Sequence, residues 1–277
     1  MYTDNRAQGL TLFWQSIWAR AYPRIFGMLR ERSWMFFDTF LPLLGTLSYV
    51  FVYRAIQAPE EYIGFVVVGG AMTAFWLNML WSMASQLYWD KDMGNLELYV
   101  VSPAPLPAIL LGMAIGGLVN TTMRATAIIV VCSLLFAVPY EPGSLILLLM
   151  VFIVTMTALY GMGMLFASVF LASGREAWHM ANLLQEPIYL ASGFFFPVRA
   201  LGFWFATFAS ILPLTLGLDA MRQLLFADAV TLRFLPVEVE LGLLVVSSVV
   251  FISTAMLALA KLEERGRREG RLIERRR

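Results

Sequence analysis

The chain has 277 residues, of which 60% are hydrophobic, 14% aromatic and 14% charged, with a net charge of +1. Soluble domains carry about 25% charged residues, so this apolar surplus excludes a water-soluble enzyme, and the aromatic share excludes disorder. A single cysteine (Cys132) excludes a disulfide framework or thiolate metal cluster, a single histidine (His179) argues against a haem or zinc protein, and the near-zero charge supplies no field for nucleic acid.

The first element, from Leu10 to Leu29, reads as an amphipathic interfacial helix. Ser16, Arg20 and Arg24 share one face, and Trp14, Ile17, Trp18, Ala21 and Ile25 the other. A basic, Trp-bearing amphipathic helix lies along the headgroups; a cytoplasmic helix packed on its own protein is the alternative. No compact apolar core with a small-residue cleavage site precedes it, so no cleavable signal peptide is expected.

A crossing needs about 20 apolar residues. Seven apolar stretches follow, at 34–53, 62–89, 109–138, 143–174, 177–198, 200–218 and 241–260. Arginines 6, 20, 24, 30 and 32 precede the first, and Lys261 with seven arginines follows the last. Basic flanks stay cytoplasmic, so both ends are expected inside and the number of crossings is even. Six crossings leave only Arg54, Arg199, Arg222 and Arg233 outside. The stretch that fails to cross is 200–218, broken by Pro213 and Gly217. It is read as a re-entrant hairpin on the outer side, which needs protein or a cavity around it. The expected fold is therefore all-α and integral to the membrane. Residues 1–33 form an N-terminal cytoplasmic or interfacial helix, 34–262 the transmembrane domain and 263–277 a basic cytoplasmic tail. The hairpin, 197–226, lies between helices five and six.

Between the second and third spans, residues 89–108 form a cytoplasmic loop. It opens on Asp90, Lys91 and Asp92, turns at Gly94, carries Glu97 in a short amphipathic run and stops at Pro103, Pro105 and Pro107. Proline removes backbone donors and restricts its predecessor. A short acidic helix ahead of a rigid turn makes a lever for a cytoplasmic partner; an ordinary polar turn is the other reading.

The run "GNLELYVVSPAPLPAILLG" resembles the cytoplasmic signature of ABC-2 type transporter permeases, through Gly94, Leu96, Glu97, Ser102, Pro103 and Gly112. The run "SGFFFPVRALGFWFATFASILPLTLGLDAMRQLLF" resembles the outer segment of the same family, through Gly193, Phe196, Pro197, Pro213, Leu214, Thr215, Asp219, Ala220 and Arg222. The drug- and lipid-exporting branch is the nearer likeness, and Gly202 departs from the family's frequent proline. The resemblance implies a plasma-membrane exporter permease working as a dimer, with a second copy or a related permease. Each subunit would dock a separate ATPase subunit through a coupling segment comprising Asp90, Gly94, Leu96, Glu97, Ser102 and Pro103. The chain would bind no cofactor, ATP and Mg being held by the partner. Its sequence agrees: a phosphate loop needs Gly-x-x-x-x-Gly-Lys-Ser/Thr, but Lys91 follows Asp90 and Lys261 follows Ala260.

Charges inside a membrane cost about 3 kcal/mol or more, so each one suggests function. Arg124 lies within the third stretch and Asp38 within the first. His179, Asn182 and Glu186 recur at spacings of three and four on one face of the fifth. Arg124, His179, Asn182 and Glu186 are candidates for a substrate path, or for interhelical hydrogen bonds, and a charge pair between Arg124 and Glu186 is expected. Gly112 and Gly116 permit close helix packing. Phe194, Phe195, Phe196 and Trp204 are expected to anchor the hairpin at headgroup level. A membrane scaffold for cytoplasmic partners and an intramembrane lipid-modifying enzyme are the competing functions. The enzyme reading lacks converging acids or a nucleophile with its base. The expected cargo is a hydrophobic or amphiphilic molecule such as a drug, lipid or glycolipid.

Overall fold

A computed structural model describes residues 4–95, 99, 102, 104–173, 176–226 and 233–269. These residues are helical, with no strand among them. The order is α1 (Asp4–Arg30), α2 (Arg32–Ala55), α3 (Glu61–Leu77), a π-helical stretch (Asn78–Ala84) and α4 (Gln86–Asp92). After these come α5 (Leu106–Phe136), α6 (Leu145–Ser173), α7 (Glu176–Ala191), a single 3-10 turn (Val198–Leu201), α8 (Phe203–Ala209), α9 (Pro213–Leu225) and α10 (Val237–Glu269).

Five of these units are long and apolar enough to cross a membrane: α2, the α3–α4 unit, α5, α6 and the first part of α10. The α3–α4 unit is the hub. Its most apolar window is 94% buried inside the protein, against 11% for α2 and 22% for α10. Small residues at its core allow this, with Gly69 and Gly70 set among Val, Ala and Phe.

The fifth predicted span is shorter than its sequence suggests. Helix α7 stops at Ala191 rather than running to Val198, because the chain turns at Gly193, where φ is +66°. At 1.5 Å per residue its 16 residues cover about 24 Å. It still runs from one end of the hub to the other. Near its start, the Trp178 ring lies 5.6 Å from that of Trp89 in α4. Just past its end, the Phe194 carbonyl shares a donor with the carbonyl of Phe65 in α3. Helices α8 and α9 then bend by 111° and stay at the Phe65 end, where the Phe226 ring lies 5.6 Å from Phe65. That bend makes them a hairpin. Pro213 occupies the first turn of α9, where its missing N–H costs nothing. Gly202 opens α8 at φ +87°, a value closed to proline, whose ring fixes φ near −65°. This accounts for the departure from the family pattern.

Helix α1 packs along α5 across Gly112 and Gly116. A Cβ on Gly112 would lie 2.6 Å from the Ile17 carbonyl oxygen, and one on Gly116 would lie 3.0 Å from the Arg24 Cβ. Ile17 and Ala21 are buried in this seam. Trp14, Trp18, Tyr22 and Phe26 form an exposed stripe at helical spacing. The expected apolar face is thus split, Ile17 and Ala21 inward and Trp14 and Trp18 outward. Arg20 and Arg24 turn inward, and the aromatic side chains face out.

Candidate functional site

Helices α2, α3, α5 and α7 and the π-helical stretch line an open-sided cavity of about 570 Å³. Asp38, Asn78, Trp81, Arg124, Glu186 and Tyr189 are among its lining residues. The π geometry matters here, since such stretches displace the regular i to i−4 bonds and recur at functional sites. Within this stretch the Trp81 indole N–H donates to Gln185 Oε1 at 2.7 Å. Asn78 accepts from the Tyr160 hydroxyl at 3.2 Å.

Arg124 does not pair with Glu186. Its Nη1 donates to Asp38 Oδ2 at 3.0 Å and its Nη2 to Thr121 Oγ1 at 3.3 Å. The reason is that α2 packs on α5 here and brings its one carboxylate within reach. Glu186 instead accepts from Gln185 Nε2 at 3.2 Å. His179, Asn182 and Glu186 do share an exposed face of α7, but only Glu186 lines the cavity. Asn182 donates back to the Trp178 carbonyl at 2.9 Å.

The Arg124–Asp38 pair gives a direct test. Arg124→Asp alone places two carboxylates together and is expected to lower stability by about 2 kcal/mol, a value reduced because Asp38 is partly exposed. Adding Asp38→Arg should recover most of that loss in detergent-solubilised thermal unfolding. The absence of any recovery would refute the pairing.

At the α4 end, Asp90 is 4% exposed. It accepts from Arg20 Nη2 at 3.2 Å, Gln86 Nε2 at 3.0 Å and the Tyr99 hydroxyl at 2.9 Å. Burial, and then the bond to Asp90, push the Tyr99 phenol up to about 12 against the pull of Arg20. Arg24 donates to the Ser82 carbonyl inside the π stretch, and its own carbonyl accepts from Asn120 Nδ2 at 2.8 Å. Burial, with Arg20 adding repulsion, lowers Arg24 to about 10, so it stays cationic near neutrality. Asp90 therefore ties α1 to the start of the loop. Gly94 follows at φ +80°. Ser102 Oγ accepts the Ala104 N–H at 3.2 Å. Leu96, Glu97 and Pro103 lie outside the described residues.

At the opposite end, Arg222 is buried and reaches three carbonyls. Nη1 donates to Gly193 at 2.8 Å, and Nη2 donates to Phe65 at 2.8 Å and Phe194 at 2.7 Å. The Tyr53 hydroxyl donates to the Phe195 carbonyl at 2.9 Å, and the Tyr49 and Phe195 rings stack at 3.8 Å. Phe194 is fully buried, so it anchors the core rather than the headgroup layer, whereas Trp204 is 82% exposed. Phe196 is half-buried; Pro197 and Pro213 are buried. Asp219 accepts from Gln223 Nε2 at 3.0 Å and from the Phe234 N–H at 3.0 Å. The same Gln223 nitrogen donates to Glu240 Oε2 at 3.2 Å. Gln223 and Glu240 went unnoticed in the sequence. The available signal was a pair of acids, Glu238 and Glu240, at the otherwise apolar start of α10.

The family model for the ABC-2 type transporter matches residues 13–226. The chain is also 26% identical over 140 residues to the "Probable multidrug ABC transporter permease YbhR" of Escherichia coli strain K12. The same figures hold for the protein of that name in Escherichia coli O157:H7. The matched stretch covers 50% of this chain and 38% of each relative.

Proposed function

We propose, on the premise that this chain belongs to the ABC-2 type transporter family, that it is an exporter permease carrying hydrophobic or amphiphilic molecules out of the cytoplasm or inner leaflet. The coarser role is plain from the family: the chain is a multi-pass membrane subunit of a transporter and is not itself the catalyst. ABC-2 permeases work with an ATPase subunit. In this reading that partner binds ATP and Mg and docks on the loop at 89–108. Glu97 and Leu96 make the contact, while Asp90, Arg20 and Tyr99 transmit its movement to α1 and α4. Both termini face the cytoplasm of the plasma membrane. A second copy or a related permease completes the dimer, and lipid covers the aromatic stripe of α1 and the outward Phe203, Trp204 and Phe208.

The observation that carries this reading is the cavity of about 570 Å³ with a mixed charged and aromatic wall, set among spanning helices. A charge at membrane depth is expensive to keep, so each one is a functional-site candidate by default. A scaffold would need neither the cavity nor its charges. The test is purification of the tagged chain from its native membrane in mild detergent. An ATPase subunit should accompany it in equimolar amount and be lost with Glu97→Ala and Leu96→Ala while the permease stays folded. Recovery of the folded chain without any nucleotide-binding partner, under several gentle conditions, would overturn the proposal.

A further inference from the structure

The cavity wall carries two carboxylates and one guanidinium, from Asp38, Glu186 and Arg124. Arg124 is committed to Asp38 at 3.0 Å. Glu186 has only the neutral Gln185 amide, at 3.2 Å, and among the described residues no cationic side chain pairs with it. The cavity therefore holds one uncompensated negative charge. The rings of Tyr49, Trp81 and Tyr189 line the same open-sided cavity as the exposed Glu186, with Phe195 stacked on Tyr49. Aromatic faces attract cations, and the attraction grows as water is excluded.

We infer that this cavity binds organic cations in preference to neutral or anionic amphiphiles, with Glu186 as the counter-charge and the aromatic wall as the apolar contact. This rests on reading the cavity as part of the transport path. A neutral apolar occupant would strip water from Glu186 and give nothing in return. An anion would add a like charge beside it. A flat or propeller-shaped aromatic cation answers both demands, because its delocalised charge is cheap to desolvate and its rings meet the cavity rings. Asp38 holds Arg124 at one edge, which keeps the guanidinium from neutralising Glu186.

The test compares tetraphenylphosphonium with tetraphenylborate, two probes of similar size and shape and opposite charge. Full-length permease in lipid nanodiscs is dialysed against each labelled probe, with empty nanodiscs subtracted. Tetraphenylphosphonium should bind saturably and tetraphenylborate should not. Glu186→Gln should weaken the phosphonium about tenfold, the scale of one charge–cation contact, and Glu186→Asp should restore most of the binding. Arg124→Gln, where it folds, should strengthen phosphonium binding by releasing the Asp38 carboxylate. A structural role for either residue would not move binding in opposite directions. Equal saturable binding of the borate, or a Glu186→Gln protein that binds the phosphonium unchanged, would overturn the inference. No ATPase enters this assay, so its failure would leave the exporter reading standing, and the loss of that reading would leave the binding result intact.

Discussion

Arg222→Met is expected to destabilise the protein by about 4 kcal/mol and to remove most of the folded yield. The guanidinium is buried and donates to the carbonyls of Gly193, Phe65 and Phe194. Methionine fills similar space but donates nothing. Each carbonyl left unpaired in an apolar interior costs about 1–3 kcal/mol, with part of that sum offset because a buried guanidinium no longer needs desolvation. Arg222→Lys should rescue only part of the loss, since one ammonium cannot copy a planar fork that spans three acceptors. Thermal unfolding of the detergent-solubilised protein reads both effects. A Met variant as stable as the parent would show that the three carbonyls are satisfied in another way.

Gly69→Ala is expected to be nearly as damaging, at about 3 kcal/mol, the upper range for forcing extra volume into a packed interior. Its Cβ would overlap the Phe194 carbonyl oxygen and fall 2.9 Å from Arg222 Nη2. The first of these atoms is backbone and cannot swing aside. The segment joining α7 to the hairpin would have to lift off α3, breaking the Arg222 bonds as it moved. The Gly69→Ala and Arg222→Met effects should therefore combine to less than their sum, because both break the same contact. Gly242→Ala in α10 is the control. Its Cβ would meet nothing within 4 Å, and alanine suits a helix better than glycine, so its stability should hold or rise slightly. An unperturbed Gly69→Ala protein would contradict the close approach of α3 to the hairpin.

Both predictions concern a junction whose parts were visible in the sequence and whose assembly was not. Gly193, Phe196, Pro197, Asp219 and Arg222 were singled out by resemblance, but nothing in their spacing says that Arg222 closes on backbone carbonyls from two other segments. Long apolar runs foretold the crossings, because burying 20 residues leaves a one-dimensional trace. The hairpin was legible for a similar reason, since Pro213 breaks its run. Pairings between helices left no such trace. Arg124 drew attention as a charge at membrane depth, yet its partner was chosen by which helix packs beside α5. That helix is α2, with Asp38, and not α7, with Glu186. The facing of α1 was only partly legible for a related reason. A stripe of arginines looks like a headgroup face until Asp90 and the Ser82 carbonyl offer a better-paired interior, and a stripe of aromatic residues is as suited to lipid as to protein. The π-helical stretch at Asn78–Ala84 had no sequence signal at all, because its residues are ordinary helix formers and its register is set by neighbours.

Asp90 bonds to Arg20 of α1, Gln86 of α4 and Tyr99 of the loop. In the proposed function these bonds supply the linkage a lever needs if force applied at Glu97 is to reach the cavity. The most direct test of a permease driven through that loop is transport in everted membrane vesicles containing the chain and its ATPase partner. Adding ATP should drive a fluorescent amphiphilic dye into the vesicle interior, with the accumulation lost in Glu97→Ala while the chain remains inserted and folded. Accumulation that needs no ATP, or that proceeds equally in vesicles lacking the chain, would contradict it.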